Sequence, residues 1–152
     1  MARAKSVTPA ETLRARLRSS GLRVTAPRVA VLQRLEAHVA SGPVTHGVLA
    51  DELAPEGWDR ATIYRNLIDL TEVGLARRTD VGDHVWRFEL LDKGATAHED
   101  REHAHFVCDR CGDVQCLPME SIKLDVGSGA PRSVRKNAVA IQLRGACDAC
   151  ER

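Results

Sequence analysis

Apolar residues recur three and four apart through the first half of the chain and fall into short extended runs through the second. Leu13 and Leu17 lie four apart behind Thr8-Pro9-Ala10-Glu11, a capping box with proline at the first helical position. Gly21 stops this helix, since glycine adopts the left-handed conformation past a helix end without a Cβ penalty. Thr25 is positioned to cap a second helix, with Pro27 in its first turn and Val31, Leu32 and Leu35 on its buried side, ending before Ser41-Gly42-Pro43. A third, shorter helix is predicted from about Thr45 to Leu53, and Pro55-Glu56-Gly57 breaks it. Asp59 caps a fourth, from Arg60 to Val73 and closed by Gly74, whose Ile63, Leu67, Leu70 and Val73 form one stripe. Leu75–Thr79 and His84–Leu90 then read as two strands around Gly82-Asp83, a hairpin signal.

Several short helices followed by a hairpin is the element order of a winged helix-turn-helix, in which the helix before the hairpin enters the DNA major groove. Arg60, Thr62, Tyr64 and Arg65 fall in the first turns of that helix, beside its buried stripe. Residues 91–102 are polar and aperiodic and read as a linker. Beyond it, extended runs appear near 104–108, 113–117 and 138–144, while Gly127-Ser128-Gly129-Ala130-Pro131 cannot sustain a helix. The pattern predicts an α+β chain with a helical and hairpin unit over 1–90, a linker over 91–102 and a small β-rich unit over 103–152 that needs help to fold.

With 152 residues, 43% hydrophobic and 28% charged, the chain has an ordinary globular composition. No apolar run approaches the roughly 18 residues of a membrane span, and the first residues lack the apolar core of a signal peptide. A soluble cytoplasmic protein is therefore expected, with no membrane partner and no small-molecule substrate. The net charge of +1 conceals an uneven distribution. Arg3, Lys5, Arg14, Arg16, Arg18, Arg23, Arg28 and Arg34 face a single acid, Glu11, in residues 1–34. That basic end is either a nucleic-acid surface or simply a solvated helix face.

All five cysteines lie between 108 and 150. Cys108-Asp109-Arg110-Cys111 and Cys147-Asp148-Ala149-Cys150 are two C-x-x-C knuckles, together the four-sulfur set that a structural zinc prefers. A redox pair is the rival reading, but such pairs open a helix in an α/β context not evident here. His103-Ala104-His105 precedes the first knuckle, and strand alternation would put both imidazoles on one face. Glu89 and Cys116 are candidate partners for a second metal, with His84 and His98 nearby. Paired surface histidines without metal, and Cys116 as a small buried hydrophobe, are the plainer alternatives.

Taken in order, these residues resemble the ferric uptake regulator (Fur) family of metal-dependent bacterial regulators. The landmarks are Gly21-Leu22-Arg23-Val24-Thr25-Ala26-Pro27-Arg28, Ala61-Thr62-Ile63-Tyr64-Arg65, Phe88-Glu89-Leu90, His103 to Gly112, and the Cys147 and Cys150 knuckle. The resemblance implies a homodimer whose winged helix binds a palindromic double-stranded operator, with a C-terminal α/β domain that dimerises. It further implies a sensory metal at the hinge between the two. Tyr64 and Arg65 match recognition-helix positions, and Arg23 and Arg28 match a basic segment near the DNA backbone. Cys108, Cys111, Cys147 and Cys150 match a structural zinc site. Glu89, His103 and His105 match hinge ligands, and Cys116 takes a place usually held by an acid. The long dimerisation helix expected after about Ser121 is interrupted by Gly127, Gly129 and Pro131, and His38 and His46 lie near the loop from which the family often takes one more ligand.

The expected function is thus a repressor of metal-homeostasis genes that senses zinc or iron(II), with the zinc-uptake branch slightly favoured because a Cys116 thiolate suits zinc. A peroxide-responsive regulator of the same family and a zinc-stapled DNA-binding protein without sensing are alternatives. A hydrolase, with His103, His105 and Cys116 on a catalytic zinc and Glu89 as base, is the enzymatic alternative; no enzyme is expected.

Overall fold

The helical stripes read from the sequence converge on one core. The computed structural model describes residues 9–91, 103–136 and 139–151. Along them run α1 (Pro9–Ser19), α2 (Ala26–His38), β1 (Val44–Thr45), α3 (His46–Leu53), α4 (Arg60–Glu72), β2 (Ala76–Thr79) and β3 (Arg87–Leu90). After the linker come β4 (His103–Cys108), β5 (Val114–Pro118), α5 (Arg132–Arg135) and β6 (Gln142–Gly145). The fold is α+β, a helical N-terminal region followed by a small α/β C-terminal region.

Leu13 and Leu17 of α1, Val31, Leu32 and Leu35 of α2, Leu49 and Leu53 of α3, and Ile63, Leu67 and Leu70 of α4 are all buried around Phe88 of β3. Local signals set the helix ends. Gly21, at φ +80°, lets Leu22 N–H reach the Leu17 carbonyl and Gly21 N–H the Arg18 carbonyl, at 3.0 and 3.1 Å. Asp59 accepts from Thr62 N–H at 2.7 Å and starts α4, and Thr45 caps α3 through Val48 N–H at 3.3 Å. Thr25 has the extended backbone of a cap, but its side chain makes no capping bond, contrary to expectation; Pro27 lacks the N–H that would sit in that turn.

The hairpin strands are shorter than the sequence runs. Asp80 Oδ1 accepts from Gly82 and His84 N–H at 2.8 and 3.1 Å, and Asp83 Oδ1 accepts from Val85 N–H at 3.1 Å. These side-chain bonds satisfy the backbone of residues 82–85 and hold them in a turn rather than a ladder. The sheet order is β1-β3-β2, so the two-residue β1, too short to show alternation, pairs with the hairpin.

A second sheet, ordered β5-β4-β6, pairs β4 antiparallel with β5 and parallel with β6. Val107 faces Val114 across it, and both pack on Val81 of the hairpin turn. The Val81 carbonyl accepts from both Gln142 Nε2 and Arg144 Nη2 at 2.7 Å. On the far side of this junction a Cβ at Gly42 would sit 2.7 Å from the Val114 carbonyl, so only glycine permits that approach. Arg16 of α1 donates to the carbonyl of Leu91, where the chain leaves β3.

Arg87 clamps Asp83 through both guanidinium ends at 3.0 and 2.8 Å, and with the Val85 N–H this holds the Asp83 carboxyl at about 2, below its ordinary 3.8. A depressed carboxyl stabilises the fold above its unfolded value and loses that contribution as pH falls toward its folded value. Acid unfolding of the wild type is expected to show an increment between about pH 4 and 2 that Asp83→Asn lacks; coincident acid profiles would remove this role from Asp83.

Candidate functional site

Two clusters of metal-ligating side chains and one exposed helix face stand out. Parallel pairing of β4 with β6 sets Cys108 against Gly145 and so brings the turns following the two strands together. Gly112, at φ +74°, donates to the Cys108 carbonyl at 2.9 Å, and Cys150 N–H donates to the Cys147 carbonyl at 2.8 Å, so each knuckle folds back on itself. The four sulfurs of Cys108, Cys111, Cys147 and Cys150 lie within 4.8 Å of one another. Sulfurs set tetrahedrally at about 2.3 Å from an ion are about 3.8 Å apart. Cys111 Sγ and Cys147 Sγ are 3.8 Å apart.

The thiols are also electrostatically divided. Backbone N–H groups, that of Cys111 first and that of Cys147 next, hold Cys108 down at about 6. Neighbouring sulfurs, Cys147 first and Cys111 next, push Cys150 up to about 12. The Cys108 thiolate forms readily while Cys150 resists ionising, an opposition that a bound divalent cation would relieve.

The second cluster spans both sheets. Glu89 of β3, His105 of β4 and Cys116 of β5 offer ligand atoms within 4.8 Å of one another. His105 and Cys116 are directly paired across the β4–β5 ladder, which puts both side chains on one face. Cys116 donates to Glu89 Oε2 at 3.6 Å, and His105 Nε2 lies 3.9 Å from Glu89 Oε1. Burial first, then the Glu89 charge, push the Cys116 thiol up to about 12. Arg77, opposite Glu89 on β2, donates to Oε1 from Nε at 2.9 Å and again from Nη2.

The other candidate ligands separate. His84 stands in the hairpin turn at φ +60°, its side chain 95% exposed beside Asp80 and outside the cluster. The His103 side chain and all of His98 lie outside the described residues. His38 bonds Glu52 at 2.9 Å, and His46 bonds the Arg60 carbonyl at 2.8 Å.

On α4, Arg60, Tyr64 and Arg65 are exposed, and the Thr62 hydroxyl donates to Asp59 at 3.2 Å. Arg60 pairs with Asp51 of α3, and the Tyr64 ring meets the His46 ring edge-on at 5.3 Å. Arg23 is exposed before α2. Arg28 differs: it is turned inward, donating to Asp69 of α4 and, at 2.9 Å, to the Arg23 carbonyl.

Residues 19–126 match the Ferric uptake regulator family. The chain belongs to that family. Over 103 residues it is 37% identical to Ferric uptake regulation protein 1 of Mycolicibacterium fortuitum, a match covering 66% of this chain and 59% of that protein. It therefore spans less than two thirds of that relative. Ferric uptake regulation protein of Legionella pneumophila is 30% identical over 139 residues, covering 89% of this chain and 96% of its own. A zinc uptake regulator solved with zinc and DNA shares the fold at a TM-score of 0.58 and 22% identity, covering 95% of this chain and 96% of that one.

The Fur family comprises transcriptional regulators, not enzymes, so the hydrolase alternative is set aside. In this Fur-family chain, residues 122–131 carry no helix and α5 has four residues, as Gly127, Gly129 and Pro131 require. Arg77, Asp69 and Asp51 escaped the sequence reading, and Arg77 alone had a usable signal, its place opposite Glu89 in the hairpin; His46, weighed there only as a further ligand, contacts α4. Arg28 and Asp69 are expected to act as one unit joining α2 to α4. In a double-mutant cycle of Arg28→Met and Asp69→Asn, coupling of about 1 kcal/mol in urea unfolding is expected; additive effects would show that the pair contributes nothing.

Proposed function

We propose that this chain is a metal-responsive transcriptional repressor of metal-homeostasis genes that binds a palindromic operator as a homodimer when its sensory metal is bound. The observation that carries this reading is the Glu89, His105 and Cys116 cluster, because its ligands come from both sides of the junction between the two sheets. The proposed division is a winged-helix DNA-binding domain over 1–90, a hinge over 91–102 and a dimerisation domain over 103–152. Within it, Arg23, Arg60, Thr62, Tyr64 and Arg65 face DNA, and Arg28 braces α4 from behind.

Cys108, Cys111, Cys147 and Cys150 hold a structural zinc in this reading, supported by their sulfur spacing. Bound there, zinc supplies folding free energy to a region whose apolar core is small. Glu89, His105 and Cys116, with His103 as a further candidate, hold a regulatory divalent ion, zinc or iron(II). The thiol in the set favours zinc. A divalent ion at this place ties β3 to β4 and β5 and favours one arrangement of the two domains by its difference in affinity for the two, and by no more. The name of the zinc uptake regulator that shares the fold agrees with a zinc-dependent DNA-binding role.

Two measurements test this. Purified protein is expected to hold one tightly retained zinc and to bind a second, labile ion, and DNA fragments are expected to be captured with zinc or anaerobic iron(II) but not with a mild chelator. Cys116→Ser should weaken the labile site by tenfold or more while leaving the tight zinc in place. Equal capture under chelation would instead describe a constitutive DNA binder stapled by its four cysteines. The Arg77 guanidinium already neutralises Glu89, so Arg77→Gln is expected to tighten the labile site up to about tenfold in a competition titration; weaker binding would mean that Arg77 orients the carboxylate for the ion.

A further inference from the structure

His46 is the first residue of α3, held there by the Thr45 cap, and it touches the helix proposed to read DNA in two ways. Its Nε2 donates to the carbonyl of Arg60, the first residue of α4, at 2.8 Å. A carbonyl only accepts, so this bond fixes the proton on Nε2. Its ring also lies against Tyr64, centroids 5.3 Å apart and planes at 69°, the edge-to-face arrangement that aromatic pairs favour. One turn further along α3, Asp51 pairs with the Arg60 guanidinium. α3 therefore grips the start of α4 from the side, through His46 and Asp51.

Tyr64 is 38% exposed, the right state for a ring that must reach a partner outside the molecule. An exposed tyrosine with no neighbour samples several rotamers and loses that freedom on docking. The His46 contact removes part of that freedom beforehand. Val48, two residues on, is exposed, and Leu49, Ala50 and Leu53 carry the core contacts of α3, so His46 is not required as a buried packing residue.

We propose that His46 is a specificity-determining positioning residue, which sets the Tyr64 ring and the first turn of α4 in the geometry that discriminates one base step of double-stranded DNA from others. The inference rests on the DNA-reading function proposed above. It assigns His46 a role in recognition; among the described residues His46 joins neither group of metal-ligating side chains.

The test begins with a duplex sequence selected by the wild-type, metal-loaded protein from a randomised pool. Affinities are then measured for that duplex, for a set with single base-pair changes, and for a scrambled duplex. In His46→Ala, discrimination at one base step is expected to fall about tenfold, the scale of one direct base contact, with scrambled-duplex affinity and thermal unfolding unchanged. His46→Phe, which keeps a ring against Tyr64, should restore much of it, and His46→Gln should restore less. In a Tyr64→Ala background, His46→Ala should have no further effect at that step. Unchanged discrimination in His46→Ala, or an equal loss on selected and scrambled duplexes, would overturn the assignment. Should His46→Ala not fold, the Phe and Gln variants carry the same comparison, and equal discrimination by the two would overturn it. A wild type that selects no sequence at all would instead sink the DNA-reading function, a failure visible before any variant is made.

Discussion

Glu89 sits mostly buried where one three-stranded sheet meets the other, and a carboxylate in that place has to be matched. Arg77 matches it from the neighbouring strand of its own sheet, whereas His105 and Cys116 approach from the opposite one. The charge is therefore satisfied within the N-terminal region by Arg77 on Oε1, while from the other sheet Cys116 donates to Oε2 and His105 stands 3.9 Å from Oε1. Everything proposed for signalling depends on that asymmetry. An internal cation is always present, and an external one gains access only by offering the carboxylate, the imidazole and the thiol more than Arg77 offers the carboxylate alone.

The C-terminal region combines one small apolar contact with an adjoining cysteine cluster. Near the hairpin it has apolar contact, with Val107 and Val114 closing on Val81. At the same end, just past Cys108 and Gly145, the strands run out into two cysteine turns. A sheet of three short strands with so few buried side chains does not offset its own ordering entropy. The sulfur cluster supplies in the proposed reading what packing does not, and it does so right beside the Val81 contact, since Cys108 follows Val107 on β4.

Much of this was legible in the sequence because the signals were local. The capping aspartate of α4, the glycine after α1 and the leucine stripes each act within a few residues, and each produced the element it predicted. Glu89, His105 and Cys116 stand out by residue type, strand position and the family resemblance, and they lie together. What escaped depended on partners distant in the chain. Arg28 looks from the sequence like one more member of a basic segment, and only the approach of Asp69, 41 residues on, turns it inward. The hairpin strands were overextended because nothing in an alternating run reveals that Asp80 and Asp83 bond the backbone around them. His84, counted among the candidate ligands, stands exposed outside the Glu89, His105 and Cys116 cluster in the turn those aspartates make.

Arg16 is nearly buried in α1, and its guanidinium ends on the carbonyl of Leu91. The first described helix thus holds the last residue before the chain crosses toward the second sheet. Its neighbours Arg14 and Arg18 pair with Glu11 and stay in solvent, so the basic face and the inward anchor belong to one helix. α1 is consequently more than a cover over Leu13 and Leu17: it sets the point of departure of the connecting segment. The helix that buries Leu13 and Leu17 in the core thus also fixes, through one side chain, where the described chain leaves β3.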